Sequence, residues 1–298
     1  MADVSVIITC YKERDLIHRA IKSLFEQTDK DFSIVLVYDA SHDLVTESIC
    51  EYYEHSSNIS VIRNEKNFGL SGARNIGVEN MKGEIVVFLD ADDTLPKDTI
   101  EIIKKEFIRH PDADFIYGNY LLYNIEADIK TKVDCSMITD DKGLLSPSVL
   151  FDSWLLLGTS PMKKAFFKRN KGYSSEFSNT CQDVDYWMRS LVVGAKGYYT
   201  NNCIYNWYRS DTGMNNSAEN YKDLEKCKVL NLDFFIQFHP NTHYVYQTLY
   251  QMKNISGIKQ RARIDINKGY LNKRNIVYAI TPKFMLRLLL KYVIKNGV

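Results

Sequence analysis

The sequence predicts an α/β protein built on a doubly wound, mostly parallel sheet, followed by a C-terminal helical extension that is basic. Three observations favour this fold. Short apolar runs rich in β-branched residues alternate with segments of helical period as far as Asp114. Several of the predicted strands end in polar side chains, and the chain beyond Tyr221 has helical period throughout.

The predicted strands and helices of the first part alternate along the chain. Residues 4–10 form an apolar, β-branched run that is typical of a strand covered on both faces. The apolar positions between Asp15 and Gln27 recur at helical spacing. The same alternation predicts further strands at 32–38, 60–63 and 84–89, and further helices at 44–53, 72–81 and from Pro96 onward. Strands that alternate with helices of this length indicate a parallel sheet.

The regular alternation ends near Asp114, where the sequence becomes rich in tyrosine and asparagine. The elements predicted beyond it are a strand at 115–122 and a helix at 183–193, which Gly194 would end. We therefore expect a first domain at 1–215, with halves at 1–114 and 115–215, and a helical region at 216–298 that is basic from residue 253.

Composition and cysteine usage limit the class of protein. A hydrophobic content of 45% and a charged content of 25% are those of an ordinary globular chain and exclude a disordered or fibrous one. The six cysteines are scattered without a Cys-x-x-Cys pair, which argues against a zinc ribbon and suits reduced thiols. We see neither a secretory signal nor an apolar run long enough to span a bilayer, so we expect a cytoplasmic protein.

The formal net charge of +1 hides a strong asymmetry. From Lys253 to Val298 there are eleven basic residues against Asp265 alone, a net charge of +10. The rest of the chain has 27 basic and 36 acidic residues, a net charge of −9. The two parts of the chain are therefore expected to face different partners.

The basic end of the chain has the pattern of an amphipathic helix at 282–296. Thr281-Pro282 is typical of a helix start, and the cations at 283, 287, 291 and 295 recur every fourth residue, so that they form one stripe. One hypothesis is that this helix rests on an anionic membrane surface, at the inner face of the plasma membrane. The alternative is that its apolar face docks on the first domain or on a second subunit, which would make a homo-oligomer. The cations alternate with aliphatic residues and match no nucleic-acid-binding motif, so we expect no nucleic-acid partner.

The strand predicted at 84–89 runs into Asp90-Ala-Asp92-Asp93. Residues two apart on a strand point to the same face, so the carboxylates of Asp90 and Asp92 are expected to converge where the strand ends. Their mutual repulsion would be relieved by Mg²⁺ or Mn²⁺, which favour oxygen ligands and phosphate. The alternative is a solvated Asp-rich turn that caps the following helix. Tyr11 and Asp39 also follow predicted strands, and such sheets bind ligands beyond the carboxyl ends of their strands.

Five motifs together resemble the inverting family-two glycosyltransferases, which have the Rossmann-like GT-A fold and build bacterial polysaccharides. The most specific is Asn67-Phe-Gly69-Leu-Ser-Gly-Ala-Arg74-Asn-Ile-Gly, which is similar to the family's Asn-x-Gly-x-x-x-Ala-Arg-Asn-x-Gly signature. The others resemble the family's first strand with its aromatic turn, its base-binding acidic segment, its Asp-x-Asp element and its catalytic aspartate segment, and they stand at 4–11, 37–43, 89–93 and 182–189.

The resemblance implies a role for each matching residue. Asp183 would be the catalytic base, and Asp92, aided by Asp90 and Asp211, would bind Mn²⁺ or Mg²⁺. Gln182 and Asp211 depart from the pattern, because the family commonly has Glu and His at these positions. The segment at 205–213 is similar to a loop that closes over the diphosphate. The residues that would hold the nucleotide sugar are Thr9, Tyr11, Asp39, Asn67, Gly69, Arg74 and Asp90.

Several of these residues also have a purely structural interpretation. Arg74 could be a surface cation that pairs with Glu79 on its helix. Tyr11 and Asp39 could belong to ordinary turns at strand ends, and Asp183 could cap its helix.

The resemblance predicts a metal-dependent, inverting glycosyltransferase of cell-surface polysaccharide synthesis. It would move a sugar from a nucleotide diphosphate donor, a UDP-sugar, to a glycan or a lipid-linked acceptor. Two rival interpretations remain open at this point. One is a sugar nucleotidyltransferase, which would release pyrophosphate from a nucleoside triphosphate, and the other is a non-catalytic subunit of a membrane assembly that binds a nucleotide sugar.

Overall fold

The computed structural model describes residues 3–150, 153–210, 218–238, 242–251, 253–269, 273–286 and 290. The chain divides into two compact units, Met1–Cys227 and Lys228–Val298, and the boundary falls inside a helix. The first unit contains the sheet with its helices, and the described part of the second unit is helical.

The first unit is built on one sheet, which has eight strands among the described residues. They are β1 (Val4–Cys10), β2 (Phe32–Tyr38), β3 (Ile59–Arg63), β4 (Ile85–Asp90), β5 (Phe115–Asn124), β6 (Ile129–Val133), β7 (Met162–Lys163) and β8 (Gly197–Arg209). The strand order is β3-β2-β1-β4-β7-β5-β6, and β8 lies beside β5. Strands β1 to β4 pair in parallel, as do β5 and β8, whereas β6 and β7 run antiparallel to their neighbours. The predicted α/β fold with a mostly parallel sheet is therefore confirmed.

Helices alternate with the first strands in the order that the sequence period predicts. These are α1 (Leu16–Phe25), α2 (Leu44–Glu54), α3 (Gly69–Asn80) and α4 (Thr99–Arg109). A 3₁₀ turn (Cys135–Ile138) and three helices follow in the first unit: α5 (Pro147–Leu150), α6 (Lys164–Arg169) and α7 (Gln182–Val192). Helix α8 (Ala218–Leu230) crosses the boundary, and the second unit continues with α9 (Leu232–Phe238), α10 (Thr242–Gln251), α11 (Ile255–Asn267) and α12 (Lys273–Ile280).

The residues at the centre of the sheet are buried from solvent, as expected for the inner strands of a parallel sheet. Every residue of β1 is buried, and Val6, Ile8 and Leu36 have no exposed surface. Helix α3 lies close on β1 because Gly77 has no side chain. A Cβ at Gly77 would stand 2.5 Å from a methyl carbon of Ile7, so a larger residue there would push the helix away from the strand.

The strand register determines which residues meet at the carboxyl edge of the sheet. Thr9 near the end of β1 is paired with Val37 of β2 on one side and with Asp90 of β4 on the other. The turns that follow β1, β2 and β4 therefore leave the sheet side by side.

The sequence analysis expects a loop at residues 205–213, and the structure differs from this expectation. Residues 205–209 are instead the end of β8, paired in parallel with the end of β5. Two shifts of register near Asn119 interrupt this pairing, so the two-residue alternation that identifies a strand is broken where Asn201 stands. The rest of that segment, from Asp211 on, lies outside the described residues.

A buried ion pair organises the second unit. Arg261 and Asp265 of α11 lie 2.7 Å apart, and their side chains are 2% and 0% exposed. Arg261 also donates hydrogen bonds to the carbonyl oxygens of Phe235 and Ile236 in α9, and the hydroxyl of Tyr246 in α10 donates to Asp265 at 3.2 Å. The pair thus joins α9, α10 and α11.

The predicted helix at 282–296 is described only at its start. The N–H of Leu286 donates to the carbonyl oxygen of Pro282 at 2.9 Å, which is the hydrogen bond of a first helical turn. Residues 287–289 and 291–298, which carry most of the predicted basic stripe, lie outside the described residues. Within the part of the chain that the structure describes, no helix is long and apolar enough to cross a membrane.

Candidate active site

The last residue of β4 and the turn after it carry three aspartates in different surroundings. Asp93 is buried, and its two carboxylate oxygens accept hydrogen bonds from the hydroxyl of Tyr205 at 2.8 Å and from the N–H of Tyr208 at 2.7 Å. Burial, followed by the charges of Asp90 and Asp92, raises the pKa of the Asp93 carboxyl well above its ordinary value. Asp93 therefore anchors β8 to the turn, and Asp90 and Asp92 are the carboxylates that keep exposed surface.

Arg74 of α3 is a buried cation beneath this turn. It is 2% exposed, and its Nη2 donates to Oδ1 of Asp90. Its guanidinium carbon lies 5.2 Å from the ring centroid of Phe88 and 5.6 Å from that of Tyr173. Burial disfavours the charge, but the carboxylate of Asp90 outweighs it, so the pKa of Arg74 is raised. Arg74 is thus not the exposed partner of Glu79 that the structural alternative requires.

Asp92 lies in a negatively charged neighbourhood. Burial, with the charge of Asp90 next in importance, raises the pKa of the Asp92 carboxyl to about 6. Arg19 of α1 acts in the opposite direction; it donates a hydrogen bond to the carbonyl oxygen of Asp92, and its guanidinium carbon lies 3.9 Å from the ring centroid of Tyr208. Carboxylates that are held together against their repulsion are what a divalent cation would neutralise.

Glu13 is a further acidic group at this edge, which the sequence analysis does not identify. Its Oε2 accepts hydrogen bonds from the N–H groups of Tyr11 at 2.5 Å and Lys12 at 3.0 Å, so the carboxylate shapes the turn after β1. Burial, with a smaller effect from Asp90, raises the pKa of Glu13. Glu13 could have been identified as a candidate from the sequence, because it stands two positions after Tyr11. The turn that contains it leaves the sheet beside β4.

Asp39 holds together the turns on the nucleotide side of the predicted site. It is 4% exposed at the end of β2, and its carboxylate accepts hydrogen bonds from Nδ2 of Asn64 at 2.7 Å and from the N–H of Phe68 at 3.0 Å. These bonds fix the segment that enters α3. The N–H of Asp39 donates to the carbonyl oxygen of Cys10, and Thr9, one residue earlier on β1, is paired with Val37. Tyr11 follows β1 with 37% of its surface exposed, and Nζ of Lys12 lies 4.9 Å from its ring centroid.

The signature segment of α3 fixes the backbone at 173–179, which leads to α7. Oδ1 of Asn67 accepts a hydrogen bond from the N–H of Gly69 at 2.7 Å. Gly69 has φ of +71°, and a Cβ there would meet a backbone oxygen at 2.9 Å, so this turn requires glycine. Nδ2 of Asn75 donates to the carbonyl oxygen of Tyr173 at 2.9 Å, and the N–H of Tyr173 donates to Oδ1 of Asn75 at 3.0 Å.

Asp183 is partly exposed in the first turn of α7. The residue that caps this helix is Cys181, at φ of +56°, and Oδ1 of Asp183 accepts a hydrogen bond from the N–H of Val184 at 2.9 Å. Burial raises the pKa of the Asp183 carboxyl, and the nearby charge of Arg74 acts in the opposite direction. The result is a carboxylate of increased basicity next to a fixed cation.

A chain of contacts connects Asp183 with Asp90. Gly158 packs against Asp183, since a Cβ on this glycine would lie 2.6 Å from Cβ and 3.0 Å from Oδ2 of the aspartate. The hydroxyl of Tyr173 donates to the carbonyl oxygen of Gly158 at 3.1 Å, and its ring faces Arg74, which pairs with Asp90. The end of β4 and the start of α7 therefore meet in one place, although they are far apart in the sequence.

Asp90 and Asp92 fit a divalent metal ion as oxygen donors. Asp90 raises the pKa of both Asp92 and Asp183, so both lie within its electrostatic reach. Among the described residues, no group of three His, Cys, Asp or Glu side chains forms a complete metal site. Sites for Mg²⁺ at a nucleotide typically have one or two carboxylates and complete the coordination with substrate phosphates and water. Asp211, the third predicted ligand, lies outside the described residues.

Comparison with solved structures shows which fold the chain has. The crystal structure of TarS 1–349 from S. aureus in complex with UDP-GlcNAc matches with a TM-score of 0.63 at 18% identity, covering 99% of this chain and 92% of that chain. A second structure of TarS 1–349 matches with a TM-score of 0.64. At this identity the likeness shows the fold alone, which is the predicted GT-A fold.

Sequence comparison shows the family. The model of Glycosyl transferase family 2 matches residues 5–173, more than half of the chain, so the chain belongs to this family. The putative teichuronic acid biosynthesis glycosyltransferase TuaG of Bacillus subtilis is 29% identical over 250 residues, which is 80% of this chain and 95% of TuaG. Glycosyltransferase GlyA of Streptococcus pneumoniae is 36% identical over 121 residues, 41% of this chain, and the match spans 17% of GlyA.

Proposed function

We propose that the chain is a metal-dependent, inverting glycosyltransferase that moves a sugar from a UDP-sugar to a glycan or a lipid-linked acceptor. The observation that carries the proposal is the convergence of Asp90, Asp92 and Asp183 at the carboxyl edge of the sheet, joined through Arg74 and Tyr173. Ligands of doubly wound sheets bind at this edge. The names of the relatives support the class, because TuaG is assigned to teichuronic acid biosynthesis and a TarS crystal contains UDP-GlcNAc.

The donor side of the proposed site is formed by the ends of β1, β2 and β4. Asp92 and Asp90 would hold Mn²⁺ or Mg²⁺, which when bound neutralises charge on the leaving diphosphate. The exposed ring of Tyr11 would pack on the base, next to the turn that Asp39 fixes. Because Arg74 is 2% exposed, its role would be to hold the carboxylate of Asp90 in place, not to touch the phosphates.

The acceptor side of the proposed site is formed by α7 and the turn at Gly158. Asp183 would take the proton of the acceptor hydroxyl, because inversion requires a base on the face opposite to the leaving group. Its raised pKa makes it a stronger base than an exposed aspartate. Gly158 contributes no side chain beside Oδ2 of Asp183, which leaves this oxygen accessible to an acceptor.

Two further expectations stay proposals. One is a peripheral cytoplasmic location, with the helix at 282–296 on an anionic membrane surface, which would bring the enzyme close to a lipid-linked acceptor. The other is a homo-oligomer in which the apolar face of that helix docks on a second subunit.

The experiment that tests the proposed function measures nucleoside diphosphate release from a panel of nucleotide sugars, with Mn²⁺ and with a chelator. We expect UDP release from a UDP-sugar in Mn²⁺ and its loss when the metal is removed. Asp92→Asn should lose the metal-dependent release, whereas Asp98→Asn should keep it, because Asp98 is exposed at the start of α4 and makes no capping hydrogen bond. Pyrophosphate release from UTP and a sugar phosphate would instead identify a nucleotidyltransferase.

A further inference from the structure

The second unit contains a groove of about 380 Å³ with a polar and basic lining. Its polar walls are Ser256, Lys259, Gln260, Arg263 and Asn267 of α11, together with Lys283 beyond α12. These residues of α11 follow one another at intervals of three or four and therefore share one face of the helix. Ile258 and Ala262, on its other face, are buried in the unit.

The cations of the groove have no acidic neighbour on their own part of the chain. Asp265 is the one acidic residue between 253 and 298, and it is buried on the other face of α11, paired with Arg261. No ion pair links Lys259, Arg263 or Lys283 to a carboxylate of the described residues. Within the described residues, the positive charge of the groove is therefore not compensated by an ion pair.

One of these cations also fixes the shape of the groove. Nζ of Lys259 donates a hydrogen bond to the carbonyl oxygen of Thr281 at 2.7 Å. This bond ties α11 to the turn that carries Lys283, so the two walls are held together without a ligand. Lys259 keeps further N–H groups, because an ammonium has three donors.

We propose that this groove binds a phosphate-bearing group, a phosphate monoester or diester, at a site separate from the carboxylate site of the first unit. Arg263 can contact two phosphate oxygens at once, and Lys259 and Lys283 add positive charge. Ser256, Gln260 and Asn267 add hydroxyl and amide donors. The volume lies within the range of small-ligand sites, about 300–1,000 Å³. The same chemistry is offered by the headgroup of an anionic lipid and by a soluble phosphate ester, and the inference does not depend on the proposed transfer reaction.

The test compares the binding of two double variants of the full chain. Lys259→Gln with Arg263→Gln removes two groove cations that lie outside the helix at 282–296. Lys253→Gln with Lys273→Gln is the matched control, because it removes two exposed cations of the same unit that do not line the groove. Binding of glycerol 3-phosphate is measured by calorimetry in EDTA, and binding to phosphatidylcholine vesicles with and without phosphatidylglycerol is measured by cosedimentation.

The wild type and the control are expected to bind, and the groove variant is expected to bind more weakly by about ten-fold or more. A loss confined to vesicles assigns the groove to a lipid headgroup, and a loss confined to glycerol 3-phosphate assigns it to a soluble ester. Equal binding by the two variants in both assays, or no binding by the wild type, overturns the proposal. Binding of UDP in Mn²⁺, measured on the same preparations, reports on the first unit and on the proposed function separately.

Discussion

Two buried arginines, one in each unit, pair with a carboxylate in different ways. Arg261 and Asp265 are 2% and 0% exposed. Arg261 also donates to backbone carbonyl oxygens, and Asp265 accepts a hydrogen bond from Tyr246. Arg74 is buried to a similar depth, but the side chain of its partner Asp90 is 33% exposed. The first pair is closed to solvent and the second is open on the carboxylate side.

The difference separates a pair that serves the fold from one that serves a ligand. A closed pair can position helices, because its charges are reached only by the protein around them. An open pair offers the exposed part of a carboxylate, held by a buried cation, to a ligand that enters the site. Nε of Arg74 has no hydrogen-bond partner among the described residues, which indicates that the open pair is not arranged for stability alone.

Arg261→Met is expected to have the largest effect on stability. Asp265 would stay buried without a counter-charge, and breaking a buried pair in this way costs about 3–5 kcal/mol. Urea unfolding followed by circular dichroism measures the loss.

Two controls sharpen this prediction. Arg261→Met combined with Asp265→Leu removes both charges and should recover most of the loss. Lys273→Met, at an exposed position, should stay within about 0.5 kcal/mol of the wild type. A double variant as unstable as the single one would show that the unpaired charge is not the cause.

Arg74→Met is expected to cost less, about 2 kcal/mol, because Asp90 remains in contact with water. Its main effect should be on the pH dependence of turnover. Arg74 lowers the pKa of Asp183, so its removal raises that pKa and moves the acidic limb of the pH–rate profile to higher pH. Arg74→Lys keeps the charge and should restore most of the wild-type profile. An acidic limb that does not move in Arg74→Met would contradict the proximity of the open pair to the base.

Asp92→Asn is expected to stabilise the metal-free protein by about 1 kcal/mol above pH 7. The folded-state pKa of about 6 lies above that of the unfolded chain, so the native protein binds the proton more tightly. The ionised carboxylate therefore destabilises the fold at high pH, and the difference between variant and wild type should shrink as the pH falls from about 6 towards 4. Thermal unfolding in a chelator, at several pH values, measures this difference in stability.

Added Mn²⁺ should raise the melting temperature of the wild type but not that of Asp92→Asn. An equal rise in both proteins would place the metal elsewhere.

The sequence predicts those strands and helices whose burial gives a periodic pattern of apolar residues. Strands β1 to β4 and helices α1 to α3 begin and end close to the predicted positions, and α4 begins three residues after Pro96. Burial of one or both faces leaves a period in the sequence of these elements. The sequence does not predict strand β8. Its pairing with β5 joins segments that are far apart in the chain, and a bulge near Asn119 interrupts the alternation.

The candidate site also has features that the sequence predicts and features that it does not. The carboxylates of Asp90, Asp92 and Asp183 are visible in the sequence because they stand in motifs, and the structure brings them together. The burial of Arg74 beneath Asp90 and the contact of Gly158 with Asp183 are not visible, since both depend on which distant segments touch. The roles assigned to these residues stay predictions until they are measured.

The measurement that tests the central claim most directly is the turnover of a UDP-sugar by Asp183→Asn, with the Kd for the donor measured on the same protein. If Asp183 is the base beside the open pair, kcat falls by about 10²- to 10⁴-fold while the Kd for the donor stays that of the wild type, since a base acts on the reaction and not on donor binding. Wild-type turnover in Asp183→Asn would contradict the account.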